Sequence, residues 1–411
     1  MQGRLYCAAL AVSMVFMPAM ASVADEPWRR HTIDDSSRGA DGVRLADANG
    51  DGRLDIATGW EEGGQIRVYL QPAAAQVRER WPAVTVGQIA SPEDAVLVDL
   101  DGDGALDVVS ACEGRARTIG FHWAPPPGAD YLAADGWRTS ELPAAHGRTM
   151  WMFALPLDVD GRHGIDLIVG SKNPGGMIGW LESPANPRDV ASWKLHELCP
   201  AGWIMSLVGH DVDADGDLDV VASDRRGPDR AVIWLENPGS SANAEGAQWQ
   251  RHVMGAAGDE VMFLALADLD SDGLTDVVAS TRNGLLRFLR RTNSGSEPQW
   301  ESFTIDNPLG VAYGKSVAVV DVDLDDRLDL IHATNTQEYK SDADRPPAVT
   351  WMSYRNSVFE RQWDAHDISG PAGVKFDLVA PLDLDNDGDA DIITCEERAN
   401  LGVFWYENPT R

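Results

Sequence analysis

The sequence predicts an all-β fold: a seven-bladed β-propeller with four antiparallel strands per blade, closed by the N-terminal strand pairing with the C-terminal blade. Two observations carry this prediction. A pattern written D-x-[D/N]-x-D-G-x-x-D comes round seven times at intervals of 52 to 62 residues, beginning at Asp47, Asp99, Asp158, Asp211, Asp268, Asp321 and Asp383. The same strand-like segments surround every copy in fixed order. A unit of about 55 residues cannot bury its apolar face alone, so the 411 residues read as one closed array rather than several domains.

Within a unit the first segment is led by tryptophan: "WRRHTI" at Trp28, "WPAVTV" at Trp81, "WRTSEL" at Trp137 and "WKLHEL" at Trp193. "WQRHVM" at Trp249, "WESFTI" at Trp300 and "WDAHDI" at Trp363 continue the series. An apolar strand then runs into the aspartate loop, with a β-branched partner beyond it, as in "DLDGDGALDVVSA". A short strand such as "IRVYLQP" or "VFWYENP" completes the unit. The chain opens on a tryptophan segment and ends on the third strand of the last unit. Residues 28–34 are therefore expected to pair with residues 402–407, which removes two exposed edges. His31, His196, His252 and His366 each stand three residues after a repeat tryptophan. A repeated position of this kind predicts packing, not ligand binding.

The loops gather hard oxygen donors, which suits calcium. The donors of the first copy are Asp47, Asn49, Asp51 and Asp55; those of the second are Asp99, Asp101, Asp103 and Asp107. The fourth copy offers Asp211, Asp213, Asp215 and Asp219, and the fifth Asp268, Asp270, Asp272 and Asp276. Asp321, Asp323, Asp325 and Asp329 follow in the sixth, and Asp383, Asp385, Asp387 and Asp391 in the seventh. Position 7 varies freely (Arg53, Ala105, Gly164, Asp217), as expected where the backbone carbonyl is the donor. Position 6 is glycine in five copies, where a tight turn wants positive φ. Two copies depart from the pattern. The third reads "DVDGRHGID", and Arg162 at position 5 predicts a salt-bridged cluster in place of an ion. The sixth has Asp326 at the glycine position, which aspartate tolerates. About six calcium sites are expected, with the loop Asp158–Asp166 empty.

A loop of this form followed by V-V or I-I, repeated seven times, resembles the FG-GAP/VCBS repeat proteins. The integrin α-subunit head is similar in its calcium-loop propeller. The resemblance covers residues 28–409 and implies a calcium-stabilised propeller; such repeats occur in adhesins, lectin-like proteins and some polysaccharide lyases.

The N-terminus "MQGRLYCAALAVSMVFMPAMASVADEPW" places Arg4 before an apolar run and Ala19-Met20-Ala21 after it. Residues 1–24 read as a secretory signal peptide with cleavage near residue 21 or 24, leaving 25–411 as the propeller. A secreted or periplasmic protein without a membrane span is expected. The formal charge of −31 excludes a nucleic-acid partner, although much of it sits in the loops, where bound cations would cancel it. Beyond the leader remain Cys112, Cys199 and Cys395, too few for a disulfide framework.

The loops lie on one face, so function is sought on the other. Counting six residues past the last loop aspartate gives Glu61, Glu113, Lys172, Arg225, Arg282, Asn335 and Glu397. Six before the first come Asp41, Glu93, Met152, Met205, Met262, Lys315 and Asp377; eight before come Trp203, Glu260, Tyr313 and Lys375, among others. The repeat does not dictate these unlike residues. His146 and Arg148 belong to the same face of unit three, as does Lys340 in the long segment 334–348, a candidate lid.

The first expectation is a binding protein for carbohydrate or a surface protein. Arg148, Lys172, Trp203, Arg225, Arg282, Glu93 and Glu260 would line its site. The second is a uronate lyase or sugar dehydratase. There His146, Tyr313, Lys315 or Lys375 would act as acid and base, and arginines would hold the substrate carboxylate. Whether the chain is an enzyme stays open, as does its oligomeric state.

Overall fold

The computed structural model describes residues 26–310, 313–341 and 345–411. The leader at 1–24 lies outside these residues. Seven four-stranded antiparallel sheets form the blades of a propeller, and among the described residues helix is confined to Ser240–Ala244 and one 3-10 turn. No helix among the described residues is long and apolar enough to cross a membrane.

The innermost strands are β2 (Ala40–Ala46), β6 (Pro92–Val98), β10 (Met150–Leu157) and β14 (Ile204–His210). Blades five to seven contribute β18 (Val261–Ala267), β22 (Gly314–Val320) and β26 (Phe376–Leu382). In each blade the next strand out begins at the last loop aspartate, as β3 (Asp55–Trp60) does in blade one. All six residues of β3 are buried. Neighbouring blades cover both its faces, so the segment reads as a continuous apolar run rather than an alternation.

The closure is as the sequence predicts. β1 (Arg29–Asp34) pairs antiparallel with β28 (Gly402–Glu407), from Arg29 opposite Glu407 to Asp34 opposite Val403. The seam is apolar as well as hydrogen-bonded, because Trp60 of blade one and Trp405 of blade seven are fully buried in one cluster. Burying each such ring stabilises the join by roughly 2–3 kcal/mol.

The repeat tryptophans mostly precede the outer strand instead of standing in it. Trp81, Trp137, Trp193, Trp249 and Trp363 are buried, and their indole N–H groups donate back to the crossing loop. Trp193, for example, donates to the Pro187 carbonyl at 2.9 Å. This fixes the path from the third strand to the fourth. The repeat histidines pack as expected. His252 stacks on Trp234 with ring centroids 4.2 Å apart and meets Glu236 at 2.7 Å. His31, His196 and His366 stack in the same way on Trp405, Trp180 and Trp351. Cys112, Cys199 and Cys395 are free and buried.

The last aspartate of each loop is a clasp within its blade. Asp219 accepts from the Val212 amide at 2.9 Å with one oxygen and from the Asn237 amide at 2.7 Å with the other. Asp55, Asp107, Asp166, Asp276 and Asp391 make the same pair of bonds, joining the loop to the end of the third strand. Asp329 accepts from Val322. A buried amide left without an acceptor destabilises by about 1–3 kcal/mol, so this position is held whether or not an ion is bound.

Positive φ occurs at position 6 in all seven loops, including His163 (62°) and Asp326 (65°). It occurs again at position 4, at Gly50, Gly102, Gly161, Ala214, Ser271, Leu324 and Asn386. The second left-handed position was hidden in the sequence because four of its seven residues are not glycine.

Candidate functional site

At the end of the channel opposite the aspartate loops, every innermost strand carries a register shift near its start. The shifts fall between Asp41 and Arg44, Pro92 and Asp94, Trp151 and Phe153, and Ile204 and Ser206. In the last three blades they fall between Val261 and Leu264, Gly314 and Val317, and Phe376 and Val379. A bulge re-aims the side chain beside it. The residues re-aimed are those six places before each loop: Asp41, Glu93, Met152, Met205, Met262, Lys315 and Asp377.

A second tier sits above this ring. The backbone N–H of the residue six past each loop donates to the carbonyl of the residue eight before it. Arg225 donates to Trp203 at 2.8 Å, Arg282 to Glu260 at 2.9 Å, Asn335 to Tyr313 at 2.9 Å and Glu397 to Lys375 at 3.1 Å. Lys172 pairs with Met150 through the strand register. Three positions separated in sequence therefore meet in every blade.

The two tiers enclose a cavity of about 260 Å³. Of the residues expected to bind or react, Glu93, Lys172, Trp203, Arg225, Tyr313, Lys315 and Lys375 all line it. Arg282 and Glu260 line an adjoining hollow that shares Tyr313. Glu260 lies 3.3 Å from Arg282 and 3.7 Å from Arg225, which joins the two spaces. Lys172 and Arg225 lie over the Trp203 ring at 4.4 and 4.3 Å, and Arg282 lies 4.3 Å over Tyr313. Cation–π contacts of this type add to the hold on both rings.

His146 and Arg148 do not join this group. Both are exposed and neither lines the cavity; His146 stands 3.5 Å from Glu141 at the rim. Their loop turns outward after Leu142, so proximity in sequence to β10 did not bring them to the channel. Lys340 is also exposed and outside the cavity. The segment 334–348 is anchored at its start, where the Thr336 amide donates to Val374 at 2.7 Å; residues 342–344 of the candidate lid lie outside the described residues.

The lysines are committed to ion pairs. Lys172 meets Glu113, Lys315 meets Asp377, and Lys375 meets Glu397 with Asp377 at 3.7 Å. Arg398 holds the other Glu397 oxygen at 2.9 Å. Burial works against the Lys375 ammonium, yet the carboxylates of Asp377, Asp41, Glu93 and Glu61 keep it above the usual lysine range. A lysine held in its charged form anchors carboxylates; it is unsuited to abstracting a proton. Asp377 is held below the usual carboxylate range: burial pushes it up, but Lys315 and Lys375 outweigh it. Burial, then the Asp377 charge, pushes the Asp41 carboxyl up to about 7. Burial and the Asp41 charge raise Glu93 well above its ordinary value.

On the opposite face the loop aspartates cluster as oxygen cages. One carboxylate oxygen from each of Asp99, Asp101 and Asp107 lies within 4.8 Å of the others, and Asp211, Asp213 and Asp219 do the same. Buried oxygens of Asp211, Asp217, Asp383 and Asp389 have no hydrogen-bond partner. An all-oxygen donor set with orphaned oxygens fits a hard divalent cation. Arginines neutralise part of the outer charge: Arg53 meets Asp51, Arg188 meets Asp101, Arg290 meets Asp270, Arg327 meets Asp325, and Arg78 meets Asp385. In the third loop, Asp158, Asp160 and Asp166 still converge. Arg162 does not plug them: it is exposed and, among the described residues, joins no ion pair.

The family described as FG-GAP-like repeat matches residues 47–110, 211–279 and 268–332. Those stretches resemble FG-GAP-like repeats, and the described residues form a seven-bladed β-propeller. No curated protein matches it in sequence. Among solved structures it is similar to BBS1N in complex with ARL6DN, soaked with lead, at 11% identity and a TM-score of 0.54, over 94% of this chain and 98% of that one. The mercury-soaked form of that complex gives 12% identity and a TM-score of 0.51, over 94% and 98%. Chaetomium thermophilum Raptor gives 11% and 0.53, over 93% of this chain and 29% of its own. Likeness at this identity concerns the fold alone.

Proposed function

We propose that this is an exported, calcium-stabilised propeller that binds carbohydrate through the channel mouth opposite its aspartate loops. An FG-GAP-like propeller supports a ligand-binding protein in general. The observation that carries the finer reading is convergence. Residues that the repeat leaves free, from Glu93 and Lys172 to Trp203, Tyr313 and Lys375, surround one polar cavity with aromatic walls. Such walls beside charged groups suit a polyhydroxylated, acidic ligand: rings stack on sugar faces, while Arg225 and Arg282 receive carboxylates.

Calcium would be held by the aspartates and Asn49 of six loops, where it would neutralise charge and cross-link each loop. The third loop is left out because Arg162 removes the position 5 donor. Binding is favoured over lyase chemistry because Lys375 is held as an ammonium and His146 stands outside the cavity. The test is calorimetry against alginate, polygalacturonate and a sulfated glycosaminoglycan, with parallel ultraviolet detection of unsaturated products. Binding to one polymer without product supports the reading; product formation assigns catalysis instead, and no binding to any overturns it.

A further inference from the structure

The ring of bulge residues is segregated. Asp377, Asp41 and Glu93 occupy neighbouring blades seven, one and two; Met152, Met205 and Met262 occupy blades three to five; Lys315 closes the ring beside Asp377. Lys172, Lys315, Lys375 and Arg398 are taken up by Glu113, Asp377 and Glu397, and Arg225 and Arg282 stand beside Glu260. Three carboxylates are left over: Asp41, Glu61 and Glu93.

We propose that Asp41, Glu61 and Glu93 form a divalent-cation site at this mouth, separate from the seven aspartate loops, whose ion presents open positions to an oxygen-rich ligand. The proposal builds on the binding face assigned above and names what that face recognises. One oxygen from each of the three carboxylates lies within 4.8 Å of the other two, close enough for a single ion. Asp41 supplies an independent observation. It is only 7% exposed and borders the cavity, and among the described residues its carboxylate makes no hydrogen bond and no close ion pair. Lys375 and Lys315 act on it only at a distance, since they are paired to Asp377 and Glu397. A buried carboxylate with no donor and no cation of its own is costly, and a bound ion satisfies it.

The donor set is all carboxylate, with no imidazole or thiolate among the three, so the ion belongs to the calcium, magnesium and manganese class. Three protein donors leave a six- to eight-coordinate ion incomplete. The empty positions face the cavity, where a uronate carboxylate or vicinal hydroxyls would complete the shell. The ligand's less polar face would then lie toward Met152, Met205 and Met262.

The test counts ions on the full chain by equilibrium dialysis against calcium with elemental analysis. The double variant Asp41→Asn/Glu93→Gln is expected to bind one ion fewer than the wild type at saturation. Asp213→Asn, in the fourth aspartate loop, should remove a different ion, so that combining the changes removes two. An unchanged count in the double variant overturns the proposal. Should that variant fail to fold, Glu61→Gln at the half-buried rim is expected to weaken one site at least tenfold, and an unaltered isotherm is equally contradictory. A lost ion with no polymer bound would leave the metal site standing while the carbohydrate reading falls. A polymer bound with no ion lost would do the reverse.

Discussion

Lys315 and Asp377 stand at equivalent bulges on neighbouring innermost strands and form an ion pair in which both residues are buried, at 7% and 2% exposure. The pair joins blade six to blade seven at the level where the channel opens. It also marks the boundary between the basic and acidic parts of the ring.

Removing one partner leaves a buried charge. Lys315→Met is expected to destabilise the protein by about 3 kcal/mol in urea unfolding, since Lys375 at 3.7 Å only partly replaces it. Lys315→Met/Asp377→Leu should recover most of that loss. A double variant as unstable as the single one would contradict the pairing.

If the loops hold calcium as proposed, their aspartates divide into clasps and ion donors, and the two roles separate in chelator. Asp219→Asn should lose about 1–3 kcal/mol with or without calcium, because its two amide bonds belong to the blade. Asp213→Asn should stay within about 0.5 kcal/mol of wild type in chelator. It should fall behind only when calcium is added. Thermal melts in both conditions decide the matter.

Calcium itself should raise the melting temperature with concentration. A site held at a hundred times its Kd adds about 2.7 kcal/mol, so several filled loops exceed the effect of any single substitution above. A melt unmoved by chelator would remove the structural role of the ions.

His122 is fully buried between Ser110 Oγ and Thr139 Oγ1, both at 2.9 Å, and burial pulls its pKa down to about 3. The unfolded chain, with a histidine near 6.5, binds the extra proton first as pH falls. The stability this residue retains near neutrality is therefore lost progressively below about pH 6.5. His122→Gln should remove that part: the wild-type minus variant difference should shift by about 3 kcal/mol between about pH 7 and pH 4. A pH-independent difference would contradict the assignment.

The blade count, strand order and packing histidines were legible in the sequence because each repeats seven or four times at fixed spacing, and the closure because the first and last segments are complementary parts of one unit. The bulges were not, since a register shift leaves no mark in a single strand. Yet counting six residues from each loop reached the same side chains, because every blade shifts at the same place. His146 and Arg148 were misplaced for the complementary reason. They lie in a loop whose outward turn no repeat position encodes. Arg162 was misread because a long guanidinium side chain at a surface loop can stay in solvent instead of folding onto the neighbouring aspartates, and the residue type does not say which. The clasp made by the last loop aspartate was invisible too, because a clasp and a cation donor demand the same residue.

The central claim is that the aspartate loops are scaffold and that recognition occurs at the opposite mouth. Calorimetric affinity for the responsive polymer, compared between Trp203→Ala at the mouth and Arg188→Ala at the loops, tests it most directly. Below the melting temperature of both variants, Trp203→Ala is expected to lose at least tenfold in affinity and Arg188→Ala none. Retained binding in the first and loss in the second would contradict that claim.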